Sequence, residues 1–129
     1  MEQVRLAPLV GVVGCLGVLG ALAYPYAVGG VGVSAYYASG PVNPLVAGLL
    51  AVVGIIVFAA GREGRTDPGF AAGAGLVFGV AIVLVLLAWG TTARVDAVGI
   101  TQWHRWITVA VAGLVPAGGA WFARSLNLL

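Results

Sequence analysis

The densest group of chemically capable side chains is the tetrad Trp103-His104-Arg105-Trp106, which contains the only histidine of the chain. Imidazole can act as a general base or hold a metal or haem iron, and a neighbouring guanidinium can bind an anion or a lipid headgroup. Nothing around the tetrad completes those chemistries. A zinc-type site needs three or four ligands. His104 has no second histidine and no cysteine pair, and Asp96 is the one acid near it in sequence. A His–Asp pair needs a nucleophile before it hydrolyses anything, and Ser34 and Ser39 stand in no motif that would supply one. The single cysteine, Cys15, excludes an intrachain disulfide and a Cys-x-x-Cys redox pair. The 21 glycines fall mostly within apolar runs, not in a strand–loop–helix phosphate cradle. No catalytic, cofactor-binding or metal-ligating residue is therefore expected, and the simpler reading of Trp103, His104, Arg105 and Trp106 is an interfacial anchor. Aromatic and Arg side chains at the end of an apolar helix fix its depth in a bilayer, and Tyr24, Tyr26, Tyr36, Tyr37 and Trp89 fit the same belt. A redox or other enzyme working through His104 is the reading this anchor competes with.

The elements that would carry the tetrad follow from where charge is missing. Charged residues make up 8% of the chain and hydrophobic ones 61%. No Asp, Glu, Arg or Lys occurs from Leu6 to Gly61, from Pro68 to Ala93, or from Trp106 to Ala123. A chain of 129 residues cannot bury that much apolar surface in a core of its own, so a hydrocarbon solvent is expected. The first gap is too long for one crossing and breaks at Tyr24-Pro25-Tyr26, Gly29-Gly30 and Pro41-Val42-Asn43-Pro44. Four spans result, near 6–27, 44–61, 69–90 and 104–126. The second is the shortest, and at about 1.5 Å per residue it just crosses ~30 Å of hydrocarbon. The expected fold is an all-α membrane protein, a single domain over 1–129 forming a four-transmembrane-helix bundle with up-down-up-down topology.

Asn43-Pro44 and Asp67-Pro68 each place a capping side chain before a proline suited to the first helical position. Pro116 falls inside the fourth span and predicts a kink there. Between helices in lipid, close backbone approach through small residues replaces the hydrophobic effect. Gly11, Gly14, Gly17 and Gly20 recur every three residues in the first span, and Ala71, Gly75 and Gly79 every four in the third. These are expected to pack helix against helix inside the bundle. Cys15 reads as a small buried side chain within a retained first span. The stretches 31–38 and 94–103 are β-prone and lie on one side, where they could pair as a small β cap.

Spans two and three carry no Ser, Thr, Asn, Gln, His or acid, span four carries Thr108, and span one only Cys15. Proton relays and ion paths need ionisable groups inside the membrane, so a transporter or channel, for a small or apolar solute, is the weaker alternative. Arg5, Arg62, Arg65 and Arg124 lie on one side and Arg94 and Arg105 on the other. The richer side is expected to be cytoplasmic, which puts both termini inside. The net charge of +2 is no nucleic-acid footprint.

The runs Val13-Gly-Cys-Leu-Gly-Val-Leu19, Phe58-Ala-Ala-Gly-Arg-Glu-Gly-Arg-Thr-Asp-Pro68 and His104-Arg105-Trp106 resemble a family of small four-span membrane proteins from halophilic archaea, over most of the chain. The resemblance implies an integral protein of an archaeal cell membrane and brings no catalytic or binding residue with it. The function expected is that of a non-enzymatic scaffold or accessory subunit, without a cofactor. Its partners would be the lipid bilayer and either another membrane protein or further copies of itself.

Overall fold

The computed structural model describes residues 2–28, 43–91 and 103–129. Its elements are α1 (Glu2–Val28), α2 (Leu45–Arg62), α3 (Pro68–Gly90), α4 (Trp103–Ala112) and α5 (Leu114–Ser125), with no strand among the described residues. Four stretches, Val4–Tyr24, Leu45–Arg62, Pro68–Gly90 and Trp106–Ser125, are long and apolar enough to cross a membrane. The last of these joins most of α4 to α5. The segments expected to form a β cap lie almost wholly outside the described residues.

The helix ends are set by local chemistry. Beyond α2, Gly64 takes a φ of 74°. This lets Arg65 N–H reach the Ala60 carbonyl at 2.9 Å and Gly64 N–H reach that of Gly61 at 3.3 Å, a Schellman closure. Asp67 then opens α3: its carboxylate accepts from Phe70 N–H at 3.2 Å, and Pro68 holds the first helical position. Asn127, with a φ of 64°, ends α5 in the same way, with Leu128 N–H on the Ala123 carbonyl at 2.9 Å. At the start of α2 the helix begins one residue later than expected. Pro44 is the flanking residue, and the Asn43 side chain accepts from Leu45 N–H at 2.9 Å.

The four long stretches, with α4 and α5 as one, run antiparallel to their neighbours around a closed ring. Gly54 of α2 faces Cys15 of α1, Gly61 faces Ala71 of α3, and Gly79 of α3 faces Pro116 of α5. The α4–α5 arm returns to α1, with Gly118 on Gly11, Leu114 and Val115 on Gly14, and Val111 on Gly17. At the centre sits the fully buried ring of Phe58. A methyl group added at Gly11 or at Gly75 would lie 2.5 Å from that ring. The fourth side of the layer is bare backbone. A methyl on Gly118 would sit 2.5 Å from Gly11 N and 2.8 Å from Gly11 Cα, and one on Gly119 would sit 2.7 Å from Leu76 N. Glycines of α1 and α3 thus close on one aromatic ring from α2, and those of α5 close on α1 and α3.

The small-residue rows wind as helical geometry requires. Residues three apart differ by about 60° in direction and those four apart by about 40° in the opposite sense. Gly11 therefore meets both Phe58 and Gly118, Gly14 meets Leu114 and Val115, and Gly17 meets Val111, whereas Gly20 has no heavy atom within 4 Å of its missing side chain. Gly20 has rotated out of the interface expected for it. Ala71 and Gly75 face α2, while Gly79 has turned to α5, its added methyl 2.5 Å from Pro116 N.

In the fourth span α4 and α5 meet at Gly113, three residues before Pro116, and Gly113 itself keeps helical dihedrals, with a φ of −59° and a ψ of −23°. Pro116 has no N–H for the Ala112 carbonyl, and its ring crowds the preceding turn, so one rung of the ladder is lost. The Gly113 N–H is shared between the carbonyls of Val109 and Ala110 at 3.2 Å each, and the Gly113 carbonyl accepts from Ala117 N–H at 3.2 Å.

Outside, Leu49, Phe70 and Val77 are each 66% exposed. At roughly 25 cal/mol per Å² of apolar surface, water is a poor solvent for such an exterior. Charge gathers where α2 turns into α3. There the Arg62 Nε–H donates to the Arg5 carbonyl at 2.9 Å, tying α1 to α2, while Arg62 and Glu63 approach only to 3.9 Å at partly exposed positions.

In detergent, Phe58→Ala is expected to cost about 3–5 kcal/mol by emptying the central layer. Gly118→Ala should cost about 1–3 kcal/mol by forcing backbones apart. Gly73→Ala, at a glycine with nothing within 4 Å of its missing side chain, should leave the unfolding midpoint where it is or raise it slightly. Equal midpoints for Gly118→Ala and Gly73→Ala in thermal unfolding would remove the backbone-contact account.

Candidate functional site

The tetrad opens α4. Trp103 and Arg105 lie in its first turn, with side chains outside the described set, and Trp106 is 39% exposed. His104 points the other way, into the bundle, and keeps only 6% of its surface exposed. Its Nε2 lies 2.6 Å from the Ala21 carbonyl oxygen of α1, so the Nε2–H donates to it. The reason is in the α1 sequence. The Ala21 carbonyl would ordinarily accept from the N–H four residues on, and that residue is Pro25, which has none. An acceptor deprived of its usual donor on one helix is thus met by a side chain from another.

The imidazole is held on other sides too. It stacks on Tyr24 with ring centroids 5.9 Å apart and planes 22° from parallel, and meets Trp89 edge-on at 6.2 Å and 80°. Thr108, fully buried one turn on, donates its hydroxyl to the His104 carbonyl at 2.7 Å. Such back-bonding uses up the hydroxyl and can bend a helix. The two buried polar side chains among the described residues are therefore both bonded to backbone.

Beside His104 a groove of about 330 Å³ runs between α1 and α4, lined by Gly20, Ala21, Tyr24, His104 and Ile107. Gly20 opens it by having no side chain. Further down the same seam a second groove of about 370 Å³, between α1 and α5, is lined by Leu6, Leu9, Val10, Val13, Leu114 and Trp121. Positions 6, 13 and 20 are seven apart and share one face of α1, as 107, 114 and 121 share one face of the fourth span. Among the described residues no three His, Cys, Asp or Glu side chains come together. Cys15 is fully buried, and its Sγ lies 2.9 Å from where a side chain on Gly54 would begin.

The structure does not gather the packing residues into the His104 site. Gly11, Gly75 and Gly118 define a separate central layer, and of the glycine row only Gly20 reaches the groove. Phe58, Gly118 and Gly119 were not singled out by the sequence, and neither was the pairing of Pro25 with His104. The missing N–H at residue 25 was readable; which donor would answer it was not.

A family profile matches residues 1–127. The chain belongs to DUF7548, a family of unknown function. No curated protein and no solved structure matches it. The match takes in all five helices of this DUF7548 chain and the groove at His104. The family description specifies no activity, and neither a membrane nor a halophilic archaeal source.

His104→Phe keeps a ring against Tyr24 but removes the donor, and should destabilise the bundle by about 1–3 kcal/mol. Pro25→Ala, which restores an N–H to α1, should recover most of that loss in the double variant while doing little to stabilise the parent. Unfolding of the four proteins in one detergent measures the coupling; strictly additive effects would break the link between the proline and the histidine.

Proposed function

We propose that the chain is a multi-pass protein of the cell membrane, with both termini cytoplasmic, that acts without catalysis. It serves as a scaffold or accessory subunit, through helix packing and outer-loop contacts with another membrane protein or with further copies of itself. The observation that carries this reading is the number of large apolar side chains left on the outside of the bundle. Ile56 is 63% exposed, Leu84 61% and Val77 66%, while glycines bring the helices together around the buried Phe58. The described side chains of the site support the same conclusion, because the His104 Nε2–H and the Thr108 hydroxyl each bond a backbone carbonyl. Arg5, Arg62, Arg65 and Arg124 cluster at the end where α2 turns into α3, and their number supports placing that end in the cytoplasm.

Extraction in a mild detergent followed by native mass measurement tests the assembly, and a cysteine introduced at Asn127 in a Cys15→Ala background tests the topology. The expected results are a complex larger than one chain, and a reporter that reacts with impermeant maleimide only after the cells are opened. A lone monomer in every mild detergent would overturn the assembly. Labelling of intact cells would overturn the orientation, and a chain that stays dispersed in buffer without detergent would overturn membrane residence itself.

A further inference from the structure

The two halves of the fourth span are held in different ways. Below Gly113, α5 touches its neighbours backbone to backbone. Gly118 lies on Gly11 and Gly119 on Leu76, while the backbone of Pro116 lies against Gly79 and that of Leu114 and Val115 against Gly14. Such contacts leave no slack, because no side chain can rotate to relieve a shift. Above Gly113 the approach is through side-chain tips. Gly17 meets the Val111 Cγ1, and Gly90 meets the Val109 Cγ2, 3.5 Å from where its own side chain would begin. Between the halves the helical ladder lacks one rung, because Pro116 has no N–H for the Ala112 carbonyl, and the Gly113 N–H is shared between the carbonyls of Val109 and Ala110. At the far end of α4, His104 bonds to the carbonyl that Pro25 leaves without an intrahelical donor. The groove lined by Gly20, Tyr24 and Ile107 lies along the same α1–α4 seam.

We infer that α4 is a hinged arm, pivoting at Gly113–Pro116 on a fixed α5 and latched to α1 by the His104–Ala21 hydrogen bond. Release of the latch widens the groove at Gly20 and Tyr24 without disturbing the Phe58 layer. Each proline has one part in the device: Pro116 supplies the pivot, and Pro25 supplies the acceptor to which the arm is fastened. A swing of about 20° would carry Ile107, about 9 Å along the axis from Gly113, through about 3 Å. This inference goes beyond the assembly reading and does not depend on the number of copies in the complex.

Nitroxide pairs on the full chain, in phosphatidylcholine bilayer discs and a Cys15→Ala background, test it. One pair, Ala23→Cys with Ile107→Cys, spans the latch. The other, Val13→Cys with Ala117→Cys, spans the fixed half; all four positions are exposed. Mixing with excess unlabelled chain keeps the distances intramolecular. In the parent each pair should show one distance. His104→Phe should add a population longer by about 3 Å to the upper pair only. Adding Gly113→Ala and Pro116→Ala to His104→Phe, which repairs the ladder, should abolish that population. Three results overturn the inference: an upper distance unchanged by His104→Phe, lengthening of both pairs together, or a long population that persists after the ladder is repaired.

Discussion

The whole arrangement depends on one steric fact: the Phe58 ring occupies the middle of the bundle and the surrounding helices have given up their side chains to admit it. Gly11 and Gly75 bound the ring, and the Gly118-Gly119 pair lets α5 close the layer by touching α1 and α3 directly. In a hydrocarbon medium, burying more leucine would add little, since lipid tails are as apolar as the side chains they would replace. Attraction has to come from dense contact, which grows as backbones approach. A large ring in the centre, glycines around it and large apolar side chains outside therefore form one solution to one constraint.

The same medium explains the polar part of the molecule. In hydrocarbon a backbone carbonyl without a partner has no water to turn to, so a proline inside a span creates an obligation that something else must meet. Pro25 creates one at Ala21, and His104 meets it from α4, with Tyr24 and Trp89 packed on the imidazole. Pro116 creates another at Ala112, and in the turn before it the Gly113 N–H is shared between two carbonyls. The histidine that stood out as a candidate for chemistry is thus accounted for by backbone bonding in α1. Membership of a family without an assigned activity neither adds a reaction nor removes one.

The helices were largely legible in the sequence, because their causes are local. Gaps in charge marked the spans, Asp67-Pro68 marked the start of α3, and the loop containing Gly64 marked the turn before it. The site was legible only in part. The tetrad could be located at the mouth of the fourth span, but nothing in its spacing said that His104 turns inward while Trp106 stays partly exposed. The glycine row showed that α1 had a smooth face. Only a partner in space shows where that face stops, and Gly20 lies beyond the stop because each step of three rotates it further from Gly11.

Local composition was enough to read four helices long and apolar enough to cross a membrane. That reading depends on sums over contiguous residues: apolar length, absence of charge, and turn chemistry at the ends. Which helix fills the centre, which face α1 turns to α5 and which donor satisfies Ala21 emerge only from the packed bundle. These depend on pairs such as Phe58 with Gly75 and His104 with Ala21, which are distant along the chain and become neighbours only when the ring of helices closes.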